Sequence, residues 1–376
     1  MGITVLCADD SKHVLAMIVR LISSMPEVDK VHKVTNGEEA VRYVTMYNPD
    51  IITLDLKMPI LDGLQALKKI RSISSIPVIM VSSYTQPGAF ATIEALEEGA
   101  FGFISKPASG RPDDMLKMRD DLEKMIRAAV SASKDKEEVS ATSVEEESIF
   151  FRPDRKDFDA IASKLDDNSF FTIEQKKCFE AVVIGCSAGG PRALSMILPQ
   201  IPAWFPWPIL IVQHMPGFFT SYFARTLDQK CALTVKEAVD GETAKPGFIY
   251  IAPGENHMRI RKLGGAVKIS LDSEFPEVSG ARPSVDVLLD SVAASIGDKA
   301  VGIILSGMGI DGANGMLKMK KAGAVTVVQD RQSSLIYGMA GTALKLGAVG
   351  HVVNLDDLPL FLLYSPIARK THIGEV

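Results

Sequence analysis

The feature that most constrains this chain is a rhythm that runs through it twice. Short, mostly apolar stretches alternate with amphipathic ones, and polar residues gather where the apolar stretches stop. Between residue 1 and about 128 these stretches are Ile3-Ala8, Lys30-Thr35, Ile51-Leu54, Val78-Val81 and Phe101-Ile104. Strands of that length, separated by segments of helical period, predict a parallel sheet with helices on both faces. After Phe179 the rhythm resumes with Ala181-Ile184, Pro208-Val212, Phe248-Ala252, Val301-Leu305 and Ala324-Val328. A chain of 376 residues is too long for one ordinary core, so two doubly wound parallel-sheet α/β domains in series are expected.

The break between them is compositional. Ser131 to Ser148 collects Ser, Lys, Asp and Glu with hardly a large apolar residue, too little to offset the entropy of ordering, and reads as a flexible linker. Residues 149–178 are more apolar, with Phe150, Phe151, Phe158, Phe170 and Phe171 in no clean period, and are expected to dock on one of the domains. The division expected is therefore 1–128, a partly flexible linker 129–178, and 179–376.

Charge and cysteine usage exclude several classes. A net charge of -5 with no basic block offers nothing to a phosphate backbone, so nucleic acid is not an expected partner. Met1 leads straight into a strand rather than a signal peptide, and the longest apolar stretches are too short to span a bilayer, so no membrane insertion is expected. Cys7, Cys178, Cys186 and Cys231 form no CxxC pair, which suits reduced thiols in a cytoplasmic protein.

In doubly wound sheets ligands bind at the carboxyl ends of the strands. Asp9 and Asp10 close the first predicted strand, Asp55 the third, Ser82 and Ser83 the fourth, and Lys106-Pro107 the fifth. Acids brought together there repel one another unless a hard, oxygen-preferring cation such as Mg²⁺ neutralises them. Carboxylate, cation, hydroxyl and ammonium are what phosphoryl transfer onto an aspartate requires. Solvated loop acids are the bland alternative for any one residue, but a poor one for the whole set. The runs CADDS, LDLKMPILDG, PVIMVSS and GFISKP resemble the response-regulator receiver family, whose fold is flavodoxin-like, over residues 1 to about 125. That resemblance implies Asp55 as phosphoacceptor, with Asp9, Asp10, Asp55 and the backbone carbonyl of Lys57 holding Mg²⁺. It also implies Ser82 and Lys106 on the phosphoryl group, Phe103 as the aromatic switch, and a histidine kinase as phosphodonor.

The second domain opens on Gly185-Cys186-Ser187-Ala188-Gly189-Gly190-Pro191, a G-x-S-x-G turn between a strand and a helix. Such a turn needs glycine's conformational freedom, Pro191 suits the first helical turn, and Ser187 projects where backbone N–H groups await an oxyanion. A phosphate-binding turn is the alternative, weakened because neither G-x-G-x-x-G nor a P-loop lysine is present. His214 follows the run Ile209-Val212 and is the candidate base. His257, after Tyr250-Ile251-Ala252-Pro253, is its rival and reads as a loop or substrate-side residue. Asp311, after Leu305-Ser306-Gly307-Met308-Gly309-Ile310, is placed to orient an imidazole, with a helix N-cap as its plain alternative and Asp286 as the runner-up acid.

These residues, with IAPGENH and RPSVDVLL, resemble the catalytic domain of the chemotaxis protein-glutamate methylesterases, the CheB family, from about Phe179 to residue 350. The resemblance implies a Rossmann-like domain with Ser187, His214 and Asp311 as triad and the N–H groups of Met308 and Ala188 at the oxyanion. It further implies hydrolysis of glutamate methyl esters on chemoreceptor cytoplasmic domains, releasing methanol, with glutamine deamidation by the same acyl chemistry and no cofactor for the esterase. Phosphorylation of Asp55 is expected to relieve occlusion of the catalytic site. Two departures stand out. The family usually has Thr after the nucleophile where this chain has Ala188, and E-x-S followed by GMPR where it has Arg331, Ser333 and Gly338-Met339-Ala340-Gly341. A rival reading takes those changes as the mark of a decayed hydrolase serving as a binding module.

Overall fold

The computed structural model describes residues 2–82, 86–106, 112–138 and 178–363. The chain divides into two compact units, Met1–Ala141 and Thr142–Val376.

The first unit carries β1 (Ile3–Ala8), β2 (Val28–Val34), β3 (Ile51–Asp55), β4 (Val78–Ser82) and β5 (Gly102–Ser105) in the order β2-β1-β3-β4-β5. Every pairing is parallel. Helices α1 (Lys12–Ser23), α2 (Gly37–Tyr47), α3 (Gly63–Ile73), α4 (Gln86–Glu97) and α5 (Pro112–Glu138) make the crossovers. Three of them start on a polar cap, Ser11, Asn36 or Asp62, whose side chain accepts from the N–H of Val14, Glu39 or Gln65. That satisfies donors a helix start otherwise leaves open. The strand order reverses between β1 and β3, which opens a crevice at their carboxyl ends.

One expectation shifts here. Helix α5 continues through Ser131 to Glu138, eight residues into the stretch expected to be linker. Ala, Lys and Glu are good helix formers, and extending a helix already nucleated on packed residues such as Leu122 and Ile126 costs far less than starting one. The rest of that stretch, with the phenylalanines from 150 to 171, lies outside the described residues.

In the second unit seven parallel strands run in the order β14-β13-β12-β6-β7-β9-β8. They are β6 (Ala181–Cys186), β7 (Ile209–Gln213), β8 (Thr234–Glu237), β9 (Phe248–Ile251), β12 (Ala300–Ile304), β13 (Val325–Gln329) and β14 (His351–Val353). A separate antiparallel hairpin joins β10 (His257–Leu263) to β11 (Ala266–Asp272). The helices are α6 (Gly190–Ile197), α7 (Gly217–Asp228), α8 (Val285–Ser295), α9 (Ala313–Lys321) and α10 (Gly338–Lys345). Val183, Leu210, Leu288, Ile304, Met316 and Val328 belong to one buried cluster, and Ile260 and Ile269 bring the hairpin into it. Among the described residues no helix is long and apolar enough to cross a membrane.

Four strands were not anticipated. Charged Arg259, Arg261, Lys262 and Lys268 conceal the hairpin's apolar face, while Gly264 and Gly265, at φ 56 and 81, form the turn that betrays it. β8 is a half-buried edge, and β14 is only three residues long.

Candidate functional site

Three strands at the middle of the second sheet, β12, β6 and β7, deliver the predicted residues to one end. The chain leaves β6 toward β7 and later returns on the other side to β12, so the crevice above β6 is a switch point. Ser187 follows β6 directly and is half-buried. Its N–H donates to the Ser306 carbonyl, and its own carbonyl accepts from Gly190 N–H and Gln213 Nε2. Two glycines are obligatory. Gly189 has φ 83, and a Cβ there would lie 2.6 Å from Ser306 Oγ; a Cβ on Gly190 would lie 2.1 Å from Gln213 Oε1.

His214 is anchored beside this turn by its N–H on the Cys186 carbonyl at 3.0 Å. Gln213 ties both residues, since its amide nitrogen donates to the Ser187 carbonyl at 2.9 Å and the His214 carbonyl at 3.1 Å. The imidazole Nε2 lies 2.8 Å from Asp311 Oδ2. Asp311 is buried and has three further donors: Ser284 Oγ at 2.7 Å, Val285 N–H at 2.7 Å and Asp286 N–H at 3.0 Å. Burial works against its charge, but the hydrogen bond and charge of His214, with the Asp286 N–H and Ser284 hydroxyl, hold its carboxyl below the usual carboxylate value. An ionised Asp311 only accepts, so Nε2 carries the proton and Nδ1 is left as the basic nitrogen.

Neither Ala188 N–H nor Met308 N–H donates to an acceptor among the described residues. Both residues are half-buried and flank Ser187, for Gly307 packs so close that a Cβ on it would lie 3.0 Å from Ser187 Cβ. Cys186, the neighbouring thiol, is fully buried, burial pushes its pKa up, and its Sγ lies 3.1 Å from Gln213 Oε1.

The two alternatives separate clearly. Asp286 directs its carboxylate to Gly315 N–H at 2.6 Å, at the start of α9 and away from His214. His257 is not at a substrate-facing position as the sequence suggested: it is fully buried at the start of β10, with Nε2 3.0 Å from the Pro276 carbonyl and Nδ1 accepting from Ser284 N–H at 3.2 Å. Ser284, which links His257 to Asp311, went unnoticed in the sequence, where only its place before a helical run marked it as a cap.

In the first unit, Asp9 and Asp10 follow β1, Asp55 ends β3 and Lys106 follows β5. Carboxylate oxygens of Asp9, Asp10 and Asp55 all lie within 4.8 Å of one another. An all-oxygen acidic set of this size fits a hard divalent cation. Lys106 Nζ bridges Asp9 Oδ2 and Asp55 Oδ1 at 2.9 Å each. Burial raises the Asp55 pKa, against the lowering effect of Lys106 and of the Lys57 N–H. A cleft of about 440 Å³ lined by Asp10, Lys57, Met58, Asp62 and Gly88 lies alongside. Ser82 ends β4 opposite Ser105, and half-buried Phe103 lies on β5.

Comparison with known proteins agrees with both halves. A family described as CheB methylesterase matches residues 182–362, and one described as response regulator receiver domain matches residues 5–119. A protein-glutamate methylesterase/protein-glutamine glutaminase of Chromohalobacter salexigens is 39% identical over 96% of this chain and 95% of its own length. One of the same description from Methanococcus maripaludis is 36% identical over 96% and 97%. The chain belongs to this family. Among solved structures, the CheB methylesterase catalytic domain of Thermotoga maritima is 42% identical, covers 49% of this chain and 97% of its own, and has a TM-score of 0.48.

The departures from the family's usual motifs now have surroundings. The Ala188 carbonyl accepts from Ser306 Oγ at 2.8 Å, so the turn is held without a hydroxyl at that position. Arg331 stacks on Tyr337, its guanidinium carbon 5.0 Å from the ring centroid, and Tyr337 bridges Gly307. A Cβ on Gly341 would lie 3.0 Å from that ring. The Tyr337 ring thus fills the space beside Gly341 and carries Arg331 on its face.

Proposed function

We propose that the chain hydrolyses glutamate methyl esters on the cytoplasmic domains of chemoreceptors, under control of its receiver domain, and deamidates glutamines at the same site. Ser187 Oγ attacks the ester carbonyl as His214 Nδ1 takes its proton, while the N–H groups of Ala188 and Met308 meet the developing oxyanion. His214 returns the proton to the departing methoxy group as methanol forms. Water, deprotonated by the same nitrogen, then cleaves the acyl-enzyme to glutamate and free Ser187. Asp311 holds the tautomer and stabilises the imidazolium throughout. With a glutamine substrate the leaving group is ammonia. The esterase requires no cofactor.

The observation that carries this reading is the buried Asp311 carboxylate 2.8 Å from His214 Nε2, beside a serine turn with two open backbone donors. Such an arrangement favours a working hydrolase over a decayed one. In the receiver, Asp9, Asp10 and Asp55, with the Lys57 carbonyl, would hold Mg²⁺, which when bound neutralises charge on a phosphoryl group in transfer. Asp55 accepts that group from a histidine kinase, with Ser82 and Lys106 against its oxygens. The working division is 1–128 for the receiver and 179–376 for the hydrolase, in a cytoplasmic protein.

Methanol release from methylated receptor membranes tests the reading. Ser187→Ala is expected to remove it, because triad members act as a unit and Cys186 is too buried to substitute. Substantial release by that variant would defeat the assignment.

A further inference from the structure

His257 has no part in the proton transfers above, yet its surroundings are as specific as those of His214. Its buried ring stands between two backbone groups with opposite needs: the Pro276 carbonyl, 3.0 Å from Nε2, requires a donor, and the Ser284 N–H, 3.2 Å from Nδ1, requires an acceptor. Only a neutral imidazole with its proton on Nε2 meets both. Burial pushes the His257 pKa down, the Pro276 hydrogen bond opposes this, and Arg259 and Arg282 press it further down against Asp272. The neutral form is therefore the one the fold keeps.

What the ring holds is the start of α8. Ser284 is the N-cap of that helix, and its hydroxyl donates to Asp311 Oδ1 at 2.7 Å. The next two N–H groups, of Val285 and Asp286, donate to the same carboxylate. The position of Ser284 thus sets three of the four donors on Asp311. The hairpin also grips α8 further along, through Ile260 N–H on Ser291 Oγ at 2.9 Å and Ser295 Oγ on the Ile260 carbonyl at 3.1 Å. On the far side, Phe275 meets the His257 ring edge-on at 5.7 Å, and Arg282 Nη1 ties down the carbonyls of Ser273 and Phe275.

We infer that His257 is a positioning residue for the esterase: by accepting the Ser284 N–H it fixes the cap of α8, and through Ser284 it aims Asp311 at His214. The inference rests on the triad reading of Ser187, His214 and Asp311. Neither nitrogen touches substrate, so its effect falls on the chemical step rather than on binding.

The experiment compares His257→Asn, His257→Gln and His257→Leu in the full-length protein. Asn places a carbonyl oxygen near the site of Nδ1 and keeps an acceptor for Ser284. Gln places its amide near the site of Nε2 and keeps only the donor for Pro276, and Leu keeps neither. Assayed well below their melting temperatures, the Gln and Leu variants are expected to lose on the order of tenfold or more in kcat with little change in KM, since small misplacements of catalytic groups cost this much. His257→Asn is expected to recover most of it. Combining His257→Leu with Ser284→Ala should lose clearly less than the product of the two single effects, because the Ser284 hydroxyl bond to Asp311 is one of the contacts through which the His257–Ser284 N–H bond acts. Equal losses in Asn and Gln, wild-type kcat in all folded variants, or multiplicative effects in the double variant would overturn the inference. Ser187→Ala runs alongside: if it remains active, the triad reading fails, whereas an inactive Ser187→Ala with an indifferent His257 refutes this inference alone.

Discussion

Asp286 and Asp311 each place a carboxylate at the amino end of the other's helix. Asp311, just before α9, accepts from the first N–H groups of α8, while Asp286, in the first turn of α8, accepts from Gly315 N–H of α9. Helix amino termini favour negative charge, so the exchange satisfies donors at both. It also gives the two candidate acids of the sequence different partners. One carboxylate faces His214 and the other faces a helix end, and their environments push them apart: Asp311 is held below the usual carboxylate range, while burial, opposed by Gly315 N–H and aided by the Asp311 charge, raises Asp286 to about 6.

That raised pKa makes Asp286 a pH-dependent burden on the fold. Its folded-state value exceeds the unfolded value of 3.8, so the native state binds the proton more tightly and stability falls as pH rises from 3.8 to about 6. Above that window the cost is full, on the order of 1–3 kcal/mol at about 1.4 per pKa unit once solvent screening is allowed for. Asp286→Asn keeps an oxygen for Gly315 and sheds the charge. It should melt higher than wild type at pH 7.5, and the difference should be gone near pH 3.5; melting curves at the two pH values check this. An equal or lower melting temperature at pH 7.5 would count against the burial argument.

Restoring the family's hydroxyl with Ala188→Thr should change kcat by no more than about tenfold, since the oxyanion donor proposed at that position is a backbone N–H already present. The neighbouring Ser306–Ala188 hydrogen bond holds the turn in either case. A gain of several orders of magnitude in methanol release would revive the decayed-enzyme reading.

Arg331 makes no hydrogen bond or ion pair among the described residues, and its guanidinium lies over Tyr337 at the edge of the Gly307 loop. A segment that carries several glutamates presents free carboxylates beside the ester, and a stacked arginine is suited to receive one. Arg331→Glu should therefore raise KM for receptor membranes several-fold and leave kcat nearly unchanged. The melting temperature should fall only modestly, as a half-buried cation–π contact is worth about 1–2 kcal/mol. A loss confined to kcat would show that Arg331 supports the loop and not the substrate.

Sequence reading reached the elements whose apolar runs are continuous. β3, β6, β7 and β12 are buried on both faces, so nothing in them masks the pattern, and the residues at their carboxyl ends, Asp55, Ser187, His214 and Asp311, were legible for the same reason. The hairpin escaped because its outer face is basic, and with it went the meaning of His257. A histidine that accepts from a backbone N–H twenty-seven residues away leaves no local trace. The mutual capping of α8 and α9 is equally non-local: Asp286 and Asp311 look alike in sequence, and only the packing of one helix start against the other distinguishes them.

Control by the receiver is the remaining prediction. Asp9, Asp55 and Lys106 form a compact ionic set in which Lys106 is shared between two carboxylates. A phosphoryl group on Asp55 consumes one of those carboxylates and adds a dianion, so Lys106 must re-pair, and the carboxyl ends of β4 and β5, with Ser82 and Phe103, must answer a changed charge. Such a change shifts activity only if the active and restrained states of the protein interact differently with it. A few kcal/mol is enough to move a population from mostly restrained to mostly active. A small phosphodonor with Mg²⁺ should therefore raise methanol release by the full-length protein and leave Asp55→Asn unstimulated. A fragment of residues 179–376 should ignore the phosphodonor and be more active than the unphosphorylated whole. If that fragment is instead less active and the full-length protein does not respond, relief of restraint is wrong, and the receiver contributes to catalysis or to delivery of the substrate.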